Sequence, residues 1–314
     1  MNYLKKFKLI IRRIVGTFLR KFSSDNCVIM YIDGGFSSQL IRYSKGIWFK
    51  ERGMNVKYDL LWYKYDGMDN LGLEKREWRL EECFPKLEIN IATTEEVIKY
   101  RRFYGTDIHN MALKYRGKEE RLKPPLYIAR YDFDNIVSDF QKYAKYFDWE
   151  GIYNILNLSA RNIADEIRMH KSKGKKVIGI HVRRGDMTVT GDYWKVLTPQ
   201  YFETAINKVA TDTSVLYFFS NGFDFVKKEI IPNIKYEYVL VNIQNKDYED
   251  MFLYSLCNVQ VSSQGSWGRI TYCFNTNQDR TLVIPATNIK EDLIVHNNGT
   301  IINLMLTEEM YLRE

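Results

Sequence analysis

Short apolar runs alternate along this chain with stretches whose apolar residues recur at helical spacing. Cys27 to Ile32 is a run of strand type, closed by Asp33, Gly34 and Gly35. Residues 38–52 follow with helical spacing (Leu40, Ile41, Ile47, Trp48) and stop at Gly53, and 55–61 reads as a second strand. This is a β-loop-α-β opening with glycines at its first turn. Residues 62–150 are aromatic-rich and irregular, with one strand expected at 125–130. A helix is then expected over 151–172, ended by Gly174. Strands follow at 177–182, 215–220, 237–241, 259–262 and 281–284, with helical stretches at 199–209, 223–230, 248–257 and 267–274. Strands separated by helices need crossover connections, so the pattern predicts a parallel, doubly wound sheet. Two α/β halves result, with a seam near 150–175.

The first residues follow another pattern. At ~100° per residue, Leu4, Phe7, Ile11, Ile14, Val15, Phe18 and Phe22 fall on one face of a helix. Lys5, Lys6, Lys8, Arg12, Arg13, Arg20 and Lys21 lie among them, mostly on other faces, with no acidic residue before position 22. No apolar run approaches the ~20 residues that span a bilayer, and a secretory signal would place its charges ahead of an apolar stretch. The pattern fits a helix lying on an anionic membrane surface; packing on the body of the protein or on a partner is the alternative.

Charge and composition narrow the reading. The chain has 314 residues and a formal net charge of +7, and beyond residue 21 it carries 39 residues of each sign. A nucleic-acid groove spread over the body is therefore not expected. The 45% hydrophobic share supports a real core and excludes a disordered chain. The four cysteines (27, 83, 257 and 273) have the spacing of neither a disulfide framework nor a zinc site, which points to a reduced, cytosolic compartment.

The candidate chemistry lies where ligands bind in open parallel sheets, beyond the carboxyl ends of the strands. One strand runs into His181-Val-Arg183-Arg184-Gly-Asp186, another into Ser220-Asn221-Gly222, and a third into Ser262-Ser263-Gln264-Gly265-Ser266 just before a helix. A cationic turn, an amide turn and a hydroxyl-rich segment suit a phosphorylated ligand. Paired arginines can fork onto a diphosphate, with Asp186 aiming one of them or holding the nucleotide. An Arg–Asp pair that merely staples the turn is the competing reading. His109, His170 and His296 have no ligand spacing, so no metal is expected. Asp132 and Asp134 match the Asp-x-Asp pattern of metal-dependent glycosyltransferases, though three-residue patterns arise easily.

His181, Arg183, Arg184 and Asp186 match the His-x-Arg-Arg-x-Asp motif of fucosyltransferases, and the chain resembles the bacterial α-1,2-fucosyltransferases of glycosyltransferase family 11. Further likenesses run in the family's order. Gly34-Gly35-Phe36-Ser37-Ser38-Gln39 stands where the family has Gly-Gly-Leu-Gly-Asn-Gln, and Phe218-Phe219-Ser220-Asn221 resembles Phe-Ser-Asp-Asp. Asp250-Met251 with Ser255-Leu256-Cys257 resembles Asp-Met-x-Leu-Met-Ser-x-Cys. Val261 to Trp267 resembles Ala-Asn-Ser-Ser-Phe-Ser-Trp-Trp, with Gly265 and Gly268 where that pattern has its Phe and second Trp.

The resemblance implies a GT-B fold of two Rossmann-like domains facing a cleft, here behind the N-terminal helix. The expected segments are a membrane-surface helix over 1–24, an acceptor-side domain over 25–155 and a GDP-sugar-binding domain over 156–314. It implies inversion at the anomeric carbon with no essential metal or other cofactor, and transfer of fucose to the 2-hydroxyl of a terminal galactose in a surface glycan such as O-antigen. Arg184 is the first candidate for the diphosphate and Arg183 its partner. His181, Ser220, Asn221, Asp250, Ser262, Ser263, Ser266 and Trp267 are donor-side candidates, and Gly34, Gly35 and Gln39 form the acceptor-side loop. Asp33, Asp186 and His181 remain open as general base, with substrate-assisted deprotonation as a further alternative. The expected partners are a nucleotide sugar, an oligosaccharide acceptor and an anionic membrane, not nucleic acid, at the cytoplasmic face. The alternatives are a GT-B enzyme with another donor and a glycan- or nucleotide-binding protein that has lost catalysis.

Overall fold

A computed structural model of the chain describes residues 11, 14–16, 18–19, 22–69, 72, 75–104, 122–129, 136–185, 188, 196–241, 245–286, 293–296 and 299–312. The chain divides into two compact units, Met1–Phe147 and Asp148–Glu314.

The first unit is built on a parallel sheet. β1 (Cys27–Tyr31) lies between β2 (Asn55–Asp59) and β3 (Leu126–Ile128), with Met30 opposite both Tyr58 and Ile128. Val28, Ile29 and Met30 are buried in succession, as expected of a parallel strand covered on both faces. α1 (Phe36–Lys50) makes the crossover from β1 to β2. The second strand stops at Asp59, short of the expected position 61, because the Asp59 carboxylate accepts from the Leu61 amide (2.9 Å) and turns the chain into helix Leu61–Tyr65. α2 (Thr94–Phe103) opens with a capping box, the Thr93 hydroxyl and Glu96 carboxylate each accepting from the other's backbone amide.

In the N-terminal segment the described residues 11, 14–16 and 18–19 are helical. Gly16 is buried, and a Cβ there would strike the Phe103 carbonyl at the end of α2. Ile14, Phe18 and Phe22 are 65%, 64% and 70% exposed, so the described part of the apolar face is turned to solvent.

The second unit carries a seven-stranded sheet in the order β6-β5-β4-β7-β8-β10-β9. Its members are β4 (Lys176–Val182), β5 (Ser214–Ser220), β6 (Glu237–Leu240), β7 (Val259–Ser262), β8 (Thr281–Ala286), β9 (Leu293–His296) and β10 (Gly299–Met305). All neighbours are parallel except β9 with β10. Apart from the last pair, this is the alternation read in the sequence. β9 and β10 are additional, and β10 returns parallel to β8.

The helix expected over 151–172 is two pieces. A 3₁₀ segment, Glu150–Ile155, is followed by α3 (Leu158–Ser172), whose N-cap Asn157 accepts from the Ala160 amide (2.8 Å). The other helices are α4 (Pro199–Val209), α5 (Asp247–Ser255) and α6 (Trp267–Cys273). The stretch expected over 223–230 forms as one α turn, Phe223–Phe225, running into π-helical Val226–Ile230. Ile178, Ile180, Val182, Leu216, Phe218, Val259 and Val261 pack with Tyr201, Phe202, Ala205 and Ile206 of α4. Each such large apolar side chain contributes roughly 1.5–3 kcal/mol on burial, which fixes the strand ends that carry the polar residues.

Candidate active site

Strand order locates the site in the second unit. From β4 the chain builds outward through β5 and β6, then returns to the other side of β4 with β7 and β8. The crevice beyond the carboxyl ends of β4 and β7 is therefore the topological switch point, where open α/β sheets bind ligands. His181 of β4 pairs with Ser262 of β7, and Val182 pairs with Ser220 of β5.

Three polar braces shape the turn after β4. The Ser263 hydroxyl accepts from the Arg183 amide (3.0 Å) and donates to the His181 carbonyl (2.8 Å), tying the turn to β7. The Asn221 side-chain carbonyl accepts from the Arg184 amide (2.7 Å), and the Ser220 hydroxyl donates to the Val182 carbonyl (2.7 Å). Ser262 donates to the Ser263 carbonyl (2.8 Å) and is fully buried. Ser220, Asn221 and Ser263, expected to touch the donor, thus make bonds within the protein that set the arginine turn, and Ser262 bonds its own neighbour. Ser266 stands at the start of α6.

Arg184 lies with its guanidinium 4.0 Å from the centroid of the Phe225 ring, and Nη1 donates to the Leu197 carbonyl (3.4 Å). It forms no ion pair with a carboxylate among the described residues, and partial burial lowers its pKa. A half-desolvated guanidinium with spare donors is matched to an incoming anion. Asp186 lies outside the described residues.

His181 is buried and stacked on Trp267, ring centroids 4.2 Å apart. Burial, with Arg183 adding to it, pushes its pKa down to about 3. The imidazole is therefore neutral at physiological pH, and among the described residues its Nδ1 has no hydrogen-bond partner. A group that resists taking up a proton is a poor general base. Asp250, on the first turns of α5, accepts from the Asn245 side-chain amide (2.6 Å). Burial pushes its pKa up to about 7; the Asn245 bond opposes the rise, and Asp247 and Glu249 add to it.

Sequence reasoning missed Arg269. It stands within α6, its Nη1 donates to the Gly265 carbonyl (2.6 Å), and burial lowers its pKa. The signal available was an arginine between residues of helical apolar spacing, two positions after Trp267.

The glycine loop belongs to the first unit. Gly34 takes φ +81°, which favours glycine, and its carbonyl accepts from the Tyr63 hydroxyl (2.9 Å). Gly35 is extended and caps α1. Gln39 is fully buried; its amide donates to the Glu77 carbonyl (2.7 Å) and accepts from the Arg79 amide (2.9 Å). That makes Gln39 a brace of the 77–79 loop rather than a surface contact. Asp33 pairs with the buried Arg42. The Tyr63 ring sits 4.9 Å from Trp62 and 5.8 Å from Trp78. Asp132 and Asp134 lie outside the described residues, and among the described residues no group of three His, Cys, Asp or Glu side chains is placed to hold a metal ion.

Arginines in the turn after β4, at the switch point of a Rossmann-like sheet, suit a phosphorylated ligand. The model of glycosyl transferase family 11 matches residues 138–298, about half the chain, and the chain belongs to that family. No curated protein sequence matches it. Among solved structures, it is similar to NodZ α-1,6-fucosyltransferase co-crystallised with GDP, with a TM-score of 0.51 at 13% identity over 80% of this chain and 92% of that one. The fucosyltransferase NodZ from Bradyrhizobium gives a TM-score of 0.50 at 12% identity, over 80% of this chain and 93% of that one. The fold is thus the GT-B type expected, with two Rossmann-like units.

Proposed function

We propose that the chain is an inverting fucosyltransferase that moves fucose from GDP-fucose to the 2-hydroxyl of a terminal galactose in a surface glycan. The observation that carries this reading is Arg184 at the switch point, partly stripped of water and without a carboxylate partner among the described residues. Family membership and a fold shared with a GDP-binding fucosyltransferase support the donor.

In the reaction the acceptor oxygen attacks the anomeric carbon as the bond from that carbon to the β-phosphate oxygen breaks. GDP leaves with the electron pair, and the acceptor proton passes to a base. Negative charge grows on the departing phosphate, and Arg183 and Arg184 stabilise it there as fixed cations. Their charge does the work a divalent ion does in other transferases, which supports a reaction without an essential metal. His181 is the weaker candidate for taking the acceptor proton, because burial, with Arg183 adding to it, disfavours its charged form. Asp33, held beside Arg42, and Asp186 are the remaining carboxylate candidates.

We also propose that the N-terminal segment brings the enzyme to the inner face of the membrane, within reach of lipid-linked acceptors. Exposed Ile14, Phe18 and Phe22 supply apolar contact, and the basic residues of positions 1–21 supply attraction to anionic lipid. Vesicles of anionic lipid should sediment the full chain, and a chain lacking residues 1–22 should stay in solution; equal binding to neutral vesicles counts against this placement.

Incubation with GDP-fucose, other GDP-sugars and UDP-sugars, followed by linkage analysis of one product, tests the reaction. Turnover with GDP-fucose and an α-1,2 product on galactose is expected. Turnover with a UDP-sugar alone overturns the donor, and an α-1,6 product overturns the linkage. Activity should survive EDTA; loss on chelation with recovery on Mn²⁺ moves the chemistry to Asp132 and Asp134.

A further inference from the structure

Arg269 is a cation without a counter-ion. It forms no ion pair with a carboxylate among the described residues, whereas the buried Arg42 pairs with Asp33 and Arg79 with Glu77 and Glu82. Such a group is costly to keep in the folded protein unless an anion arrives to meet it. One of its five N–H donors is used, by the Gly265 carbonyl at 2.6 Å.

Its position follows from the chain around it. Side chains of a helix lean toward the helix N-terminus, and Arg269, third residue of α6, reaches back to the loop beyond β7. Gly265 in that loop takes φ +107°, which few other residues adopt, and so presents its carbonyl to the guanidinium. At Gly268 a Cβ would overlap the Ser262 side chain, so the missing side chain is what lets α6 settle against the end of β7. Gly265 and Gly268 are two of the positions at which the chain departs from the family pattern.

The Tyr201 hydroxyl of α4 donates to the Ser262 carbonyl (2.8 Å), which ties the start of α4 to the end of β7. Arg184 reaches the same start of α4 from the β4 side, through the Leu197 carbonyl. Arg184 on the β4 side and Arg269 on the β7 side, neither paired with a carboxylate among the described residues, thus stand in the segments that follow the two strands flanking the switch point.

We propose that Arg269 is a further diphosphate-binding residue, donating to a phosphate oxygen of the bound nucleoside diphosphate alongside Arg183 and Arg184. This rests on the reading of the switch point as the donor site. The arrangement makes phosphate recognition in this chain depend on a residue of α6, not only on the turn after β4.

Calorimetry with GDP, UDP, guanosine and inorganic pyrophosphate on the wild type, Arg269→Gln, Arg269→Lys and Arg184→Gln tests the inference. Arg269→Gln should weaken GDP and pyrophosphate about tenfold or more and leave guanosine within about twofold, the contrast expected of a charge-assisted phosphate contact. Arg269→Lys should recover part of the loss, and the unfolding midpoint of the ligand-free variants should not fall. Equal loss of guanosine and GDP, or a GDP affinity within about twofold of wild type, overturns the proposal. Binding of pyrophosphate or UDP by the wild type without binding of GDP removes the donor reading alone, and the pyrophosphate comparison still decides Arg269. Failure of every phosphate probe on the wild type overturns both.

Discussion

The hydroxyl of Ser263 bridges the two central strands of the second unit by taking the Arg183 amide and giving its own proton to the His181 carbonyl, at 3.0 and 2.8 Å. One small side chain just beyond β7 therefore sets the backbone of the arginine turn that follows β4. Ser263→Ala should leave the Arg183 amide without a partner at a cost of about 1–3 kcal/mol. Donor affinity should fall further than the unfolding midpoint predicts, because the turn loses its direction, and Ser263→Thr should retain most of both. Calorimetric titration with GDP beside thermal unfolding checks this; a fall in stability alone counts against a positioning role.

Arg184→Ala should lower kcat/KM by roughly two to three orders of magnitude, about 3–4 kcal/mol of lost transition-state stabilisation. The folded state should hold, since Arg184 makes one long bond to Leu197 and a ring contact with Phe225. Steady-state rates with GDP-fucose, compared with thermal melts, separate the two effects. A rate within about threefold of wild type would remove Arg184 from the chemistry.

Asp250 should imprint a pH dependence on stability. Its carboxyl is pushed up to about 7 in the folded protein by burial, against ~3.9 for an aspartate in an unfolded chain. The folded state thus holds more protons than the unfolded state between about pH 4 and pH 7, and stability falls as pH rises through that window, then levels off. Asp250→Asn is neutral throughout and should gain on the wild type across the window. Urea unfolding of both proteins at several pH values gives the slope; parallel curves would place the ionised carboxylate in the native state.

Gly268→Ala should destabilise the second unit by about 1–3 kcal/mol, since the new methyl overlaps the Ser262 side chain. Ser262→Gly in the same chain should recover part of the loss. A double-mutant cycle measures the coupling, and strictly additive effects would refute the close approach of α6 to β7.

The second unit was more legible in the sequence than the first. β4, β5 and β7 are buried on both faces and read as near-continuous apolar runs ending in polar turns, so strand and site were visible together. The break at Leu156 and Asn157 was hidden by helical spacing that continues across it. It is produced by the Asn157 amide and side chain bonding to buried Glu249 on α5 (2.7 and 3.0 Å), a contact between residues far apart in the chain. β10 was missed because its place is set by pairing with β8, not by a turn signal beside it. At the site, Arg183 and Arg184 announced themselves as neighbours, whereas Arg269 owes its meaning to what surrounds it. The serine hydroxyls read as ligand contacts in a sequence, which does not record which hydroxyls also bond within the fold.

The switch-point order carries a consequence for how the protein matures. β4 and its arginine turn leave the ribosome well before β7, yet β7 is the strand that lies beside β4 and braces that turn. A nascent chain halted before β7 therefore carries an arginine turn not yet braced from that side, and any ligand of the turn can stabilise only the completed second unit.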